Sequence, residues 1–186
     1  LSFAIQALGN VGMHTALSIH NSGYSVKITS EYLGEGKFVV FRHKDRIDIP
    51  ALLEFSREHS IQEFFQEGLD VKITSEAEAI EILFQAKGVD VFIPAALENQ
   101  IRKDNQHLLR DNLIIAEGAN GPTSAEVNLV ELSKKGIVII PDFLANSGGV
   151  YSSYREWKGN ISEPFGKEQS ITFERDKLIS KMEQVS

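Results

Sequence analysis

Three features of this chain have residue types and spacing that could do chemistry. They are the glycine turn Gly9-Asn10-Val11-Gly12, the acid Glu31, and three loops of small or amide residues at Ala95-Ala96, Glu117–Pro122 and Asn146–Gly149. Phe3 to Leu8 is an apolar run of strand length, and a helical pattern with Met13, Ala16, Leu17 and His20 on one face follows the turn. Gly9 lets the main chain approach a pyrophosphate, and Gly12 lets the helix pack close to the strand. The free N–H groups and positive dipole end of that helix then face the phosphates. The usual first glycine of such a fingerprint is Ala7 here, and alanine serves there provided it keeps a negative φ. Glu31 follows Gly9 by 22 residues. An acid about 20 residues on is what a dinucleotide site uses to hold the adenosine ribose. The plainer reading of Glu31 is a solvated charge at a strand end.

Other chemistries find little support. His14, His20, His43, His59 and His107 have neither metal-ligand nor triad spacing, and no serine sits in a G-x-S-x-G turn. There is no cysteine, hence no disulfide framework and no thiolate nucleophile or ligand. The carboxylates are scattered along the helical stretches, and no pair is assigned to acid–base work. The residues by themselves argue for a dinucleotide-binding domain with no catalytic residue and no metal site in this chain.

The elements that must position these features come from the hydrophobic pattern. The 186 residues, with 42% apolar and 24% charged, suit one substantial soluble domain. A net charge of −7 without a Lys/Arg run argues against nucleic-acid and anionic-membrane partners. With no membrane-length apolar run and no signal-peptide pattern, a cytoplasmic location is the default expectation. The start at Leu1, at the edge of the first strand, suggests a piece of a longer protein.

Gly23 suits the left-handed residue past the first helix, and Tyr24 to Ser30 reads as a strand with Val26 and Ile28 on one face. Lys37 to Phe41 is a further short strand. Helices are expected from Pro50, from the Ser60/Glu63 capping pattern with Phe64 and Phe65 in the core, and from the Ser75/Glu78 pattern. Val89–Ile93, Leu113–Ala116 and Ile137–Ile140 read as buried strands, with a helix from 124 to 135 capped by Thr123. A helix through Tyr154 and Trp157 follows Gly149. Buried strands alternating with helices predict an α/β, doubly wound, Rossmann-type, mostly parallel sheet with helices on both faces. Its domain is expected over residues 1–166, with an amphipathic helix over 167–186 packed on it. Ligands of such sheets bind at the carboxyl ends of the strands, where the three loops lie.

Four segments occur in order: Ala7–Gly12, Pro94–Ile101, Glu117–Thr123 and Asn146–Val150, followed by Ser153-Tyr154 and Glu156-Trp157. Together they resemble the cofactor domain of the glutamate/leucine/phenylalanine/valine dehydrogenase family, over roughly residues 3 to 165. Ala7 for glycine and Ser147 for a common alanine are departures from the family pattern. The resemblance implies NAD(P)-dependent oxidative deamination of an amino acid, glutamate or a similar one, to a 2-oxo acid and ammonia. It places Gly9, Asn10, Val11 and Gly12 at the pyrophosphate, Glu31 at the adenosine ribose, and Ala95 and Ala96 along the dinucleotide path. Asn120 and Asn146 match asparagines at the nicotinamide and the substrate edge, and Ser153 a serine that binds a substrate carboxylate. The family's catalytic lysine and aspartate belong to an amino-terminal domain that this chain does not include. NAD is expected over NADP, with Lys37 and Arg42 the cations to weigh against it, and the parent is expected to be a homo-oligomer. A stand-alone NAD-binding regulatory module is the alternative.

Overall fold

The computed structural model describes residues 1–149 together with Ser153, Tyr154 and Trp157. The chain divides into two compact units, residues 1–145 and 146–186. In the first unit, β1 (Ser2–Gln6) runs through the glycine turn into α1 (Asn10–Asn21). Next come β2 (Ser25–Gly34), β3 (Lys37–His43), α2 (Ile49–Phe55), β4 (Leu69–Ser75) and α3 (Glu76–Phe84). The unit finishes with β5 (Val91–Pro94), β6 (Ile114–Ala116), α4 (Leu129–Lys134), β7 (Val138–Ile140) and α5 (Asp142–Ala145).

The seven strands form one sheet in the order β4-β3-β2-β1-β5-β6-β7. β2, β1, β5, β6 and β7 are parallel, whereas β3 pairs antiparallel with both β2 and β4. The antiparallel part has a local cause. Glu35 and Gly36 have φ of 52° and 71° between β2 and β3. Two consecutive left-handed residues make a tight hairpin turn whose twist matches the flanking strands. β2 therefore continues past the expected Ser30 and folds straight back on itself. β4 was not foreseen: five of its seven residues are exposed, so it carries no buried stripe to read.

Side chains alternate across the sheet into two cores. Ala4, Val40, Phe92 and Ile115 pack with Ala79, Ile80, Leu83 and Phe84 of α3 and Leu132 of α4. Ile5, Val39, Phe41, Val91 and Ile93 pack on the other face with Ala16 and Ile19 of α1 and Ile49 and Leu52 of α2. Helices thus cover both faces. Val26 and Ile28, expected to share a face, enter opposite cores. A bulge in the β1–β2 register leaves Lys27 unpaired between them, and one extra residue reverses the alternation.

Helix ends follow side-chain chemistry only partly as expected. Gly23 has φ 80° and closes α1 by donating to His20 O at 3.0 Å, and Ser75 Oγ accepts from Glu78 N–H at 3.4 Å. Asp48 caps α2, accepting from Ala51 N–H at 3.1 Å. Ser60 forms no side-chain cap, and only a single 3₁₀ turn, Ile61–Glu63, follows it; Phe65 is 83% exposed rather than core. The helix expected from 124 is confined to α4, capped by Asn128 and not by Thr123, whose backbone instead bridges Ile101. Between β5 and β6 the described structure is loop with one 3₁₀ turn at Gln106–Leu108. Buried amides order that crossover: Asn105 Nδ2 donates to Gln100 O, and Gln6 Nε2 donates to Gln100 Oε1.

In the second unit, Gly148, Gly149, Ser153, Tyr154 and Trp157 are helical. The helix expected over 167–186 lies outside the described residues. Among the described residues no helix is long and apolar enough to cross a membrane.

Candidate functional site

The glycine turn joins β1 to α1 at the carboxyl edge of the sheet. Gly9 is the residue before the helix, extended at φ −63° and ψ −172°, and a Cβ built on it would meet nothing within 4 Å. Gly12 is the reverse case. Its Cβ would stand 1.9 Å from the carbonyl oxygen of Ala7, so α1 lies against the end of β1 as only glycine allows. Ala7 does not keep the negative φ expected of it. Its φ is 68°, the left-handed conformation for which glycine is normally used.

The amino end of α1 is open. No side chain caps it and no acidic residue stands in its first turn. The first N–H groups of a helix have no intrahelical partner, so an exposed Asn10, Val11 and the space above Gly9 present donors and positive dipole to an anion. The cradle fits a pyrophosphate.

Glu31 stands one residue beyond the last parallel pair, Gln6 with Ser30. It is therefore at the carboxyl edge although it lies within β2, opposite Val39 of β3. One carboxylate oxygen accepts from Leu8 N–H inside the glycine turn, the other from Tyr32 N–H at 3.2 Å. Arg42 is far along the hairpin, opposite Ile28, and ion-pairs with Asp70 at 2.7 Å. Lys37 pairs with Gly34 at the hairpin tip.

Two loops close on this turn. Ala95 is buried and donates its N–H to Gln6 O at 3.1 Å, and Ala96 beside it is half-buried. After β6, Ala119 N–H donates to Pro94 O at 2.9 Å. A Cβ on Gly118 would touch Ile93, Ala95 and Val11 at 3.2, 3.3 and 3.4 Å. Val11 in the first turn of α1, Ala95 after β5 and Gly118 after β6 thus meet at one point. Asn120 is exposed just beyond it. Glu117 and Asp142 brace the loop, and neither was singled out from the sequence. Buried Glu117 accepts from Asp142 N–H at 2.9 Å, and Asp142 accepts from Gly121 N–H at 2.8 Å. Both carboxylates sit next to strand ends, the only hint of this role that the sequence carries. Asn146, half-buried, and Ser153, exposed on a helix, belong to the second unit. Among the described residues no group of three His, Asp or Glu could hold a metal ion.

Strand order, glycine turn and strand-end acid define a doubly wound, Rossmann-type α/β domain. A model of the Glutamate/Leucine/Phenylalanine/Valine dehydrogenase family matches residues 1–185, and the chain belongs to that family. It is 34% identical over 169 residues to an NAD-specific glutamate dehydrogenase of Clostridioides difficile, covering 90% of this chain and 38% of that protein. It is 36% identical over 182 residues to an NADP-specific glutamate dehydrogenase of Synechocystis, covering 96% and 40%. The glutamate dehydrogenase structure from Peptoniphilus asaccharolyticus superposes with a TM-score of 0.69 at 26% identity, covering 99% of this chain and 38% of that one. The chain thus spans about two fifths of the relatives it matches.

Proposed function

We propose that this chain is the dinucleotide-binding part of an amino-acid dehydrogenase that oxidatively deaminates glutamate, with NAD preferred over NADP. The observation that carries the reading is the uncapped amino end of α1 set beside Glu31 at the carboxyl edge. Asn10, Val11 and the open face of Gly9 hold the pyrophosphate through backbone donors, while Gly12 brings the helix close enough to do so. Glu31 accepts from the adenosine ribose hydroxyls. A 2′-phosphate there would meet like charge, with Arg42 committed to Asp70 at the other end of the hairpin. Ala95, Ala96 and Asn120 line the path onward, and Asn146 and Ser153 are assigned to the nicotinamide and substrate edges on the family pattern alone. When bound, the nicotinamide supplies an acceptor for the hydride leaving the amino acid α-carbon.

Three carboxylates at this edge, Glu31, Glu117 and Asp142, each already accept a backbone N–H. On the family pattern, proton removal from the substrate is assigned to other parts of the whole protein. Calorimetry on the 186-residue chain, with NAD and NADP in turn and NADH absorbance followed in the presence of glutamate, tests the reading. Tighter binding of NAD with flat absorbance is expected. No binding of either dinucleotide, or steady NADH production by this chain, would overturn it.

A further inference from the structure

A cavity of about 530 Å³ opens between the sheet and α3. One wall is Lys27 and Ile28 of β2 with Arg42, His43 and Lys44 at the end of β3; the other runs from Glu78 to Lys87. Lys27 and Ile28 stand near the start of β2, so the cavity is at the edge of the sheet opposite the glycine turn. Its volume lies within the range of about 300–1,000 Å³ usual for small-molecule sites.

Four cations face this space in a chain whose net charge is −7. The two nearest the carboxyl end of α3 have a local explanation: cations there are favourable beside the helix dipole, and Lys27 Nζ donates to Gly88 O at 3.2 Å. Arg42 and Lys44 have none of that kind, being carried on the sheet wall. Arg42 spends one guanidinium nitrogen on Asp70, and Lys44 is 3.7 Å from only its neighbour Asp45. Among the described residues Lys87 makes no ion pair. Of the two carboxylates, Glu78 is taken by Lys72 and Thr74, which hold its pKa below the ordinary value. Glu81 is left without an ion pair among the described residues. Ile28, Ile82 and Ala86 supply an apolar floor.

Clustered ammonium and guanidinium groups suit a phosphate, a single uncommitted carboxylate suits vicinal hydroxyls, and an apolar floor suits a ring face. We infer that this groove binds a small phosphorylated sugar, free or as the ribose phosphate of a mononucleotide. The phosphate lies among Lys27, Lys87 and Lys44, and the sugar hydroxyls donate to Glu81. This site is separate from the carboxyl-edge cradle and adds to the function proposed above without resting on it.

The test follows amide chemical shifts of the 186-residue chain, with and without saturating NAD, on titration with ribose 5-phosphate, adenosine monophosphate and inorganic phosphate. Both sugar phosphates are expected to move the amides from Ile82 to Gly88 whether or not NAD is present. Movement with the mononucleotide alone assigns the occupant to that source. The double substitution Lys27→Gln, Lys87→Gln is expected to lower affinity about a hundredfold, two charge-assisted contacts' worth, and Glu81→Gln to lower it for the sugar phosphates but not for inorganic phosphate. Equal binding of inorganic phosphate, shifts only at Leu8–Gly12, or insensitivity to these substitutions in folded variants would overturn the inference. Failure of NAD to bind touches only the earlier reading, because the groove amides are scored in its absence too.

Discussion

The carboxylate of Glu31 accepts the backbone N–H of Leu8, so the end of β2 and the glycine turn are tied together before any ligand arrives. The bond orients the carboxylate at the edge where a ribose would lie and leaves further lone pairs free to accept hydroxyls. It also rigidifies the turn. Glu31→Ala removes a binding group and strands the Leu8 donor. The expected result is NAD affinity reduced about tenfold and stability reduced by about 1 kcal/mol, with the preference for NAD over NADP narrowed. Calorimetric titration of both dinucleotides checks this; an unchanged ratio would remove Glu31 from the specificity argument.

Gly12→Ala puts a methyl carbon where the Ala7 carbonyl oxygen already is, 1.9 Å away. The contact is with backbone, so α1 must move off β1. A loss of about 1–3 kcal/mol is expected, together with loss of dinucleotide binding. Thermal denaturation and calorimetry read the two effects, and a variant as stable as the parent would contradict the close packing.

Ala7 pays a conformational cost at φ 68° that glycine would not. Ala7→Gly relieves about 1–2 kcal/mol of left-handed strain and gives back about 0.4–1 kcal/mol through the freer unfolded chain. A net gain between zero and about 1.6 kcal/mol is expected, seen as a higher denaturant midpoint with the slope unchanged. A lower midpoint would show that the alanine methyl group packs usefully.

Asp90 accepts from Ser2 N–H at 2.8 Å, and the Ser2 hydroxyl lies 3.0 Å from the same oxygen. These hydrogen bonds from Ser2 hold its pKa below the ordinary aspartate value. A carboxyl group lowered on folding stabilises the fold above its unfolded pKa and ceases to do so as pH falls through the folded one. Asp90→Asn should therefore lower the melting temperature slightly at pH 6, and the difference should shrink as pH falls below about 4. The effect is small because the carboxylate is largely solvated. A difference that grows in acid would contradict the assignment.

Local patterns were legible wherever one or two neighbouring residues settle the outcome. The β1–turn–α1 unit, the closure at Gly23, the Ser75 cap and the strands β5, β6 and β7 follow from apolar runs and turn residues, but β7, expected to be buried, is the edge strand, with Val138 and Ile140 exposed. Patterns failed where a competing contact decided. Thr123 looked like a helix cap, but its backbone pairs with Ile101 and Asn128 caps the shorter helix instead. Val26 and Ile28 looked like one face, but the bulge at Lys27 turns the strand between them.

The candidate site divides in the same way. Gly9, Gly12 and Glu31 could be picked out by type and spacing, because a close strand–helix turn demands glycine and the acid stands at a fixed separation from it, at the end of the paired stretch of the next strand. That Glu31 bonds Leu8, that Val11, Ala95 and Gly118 converge, and that Glu117 and Asp142 brace the Gly121 loop depend on partners up to about a hundred residues apart in the chain. The sequence by itself determined the class of domain and its glycine turn, since those rest on local sterics and periodicity. Only the tertiary structure decided which loops meet at the edge and which charges remain uncommitted across the groove, because such pairings are chosen by the packing of the whole sheet.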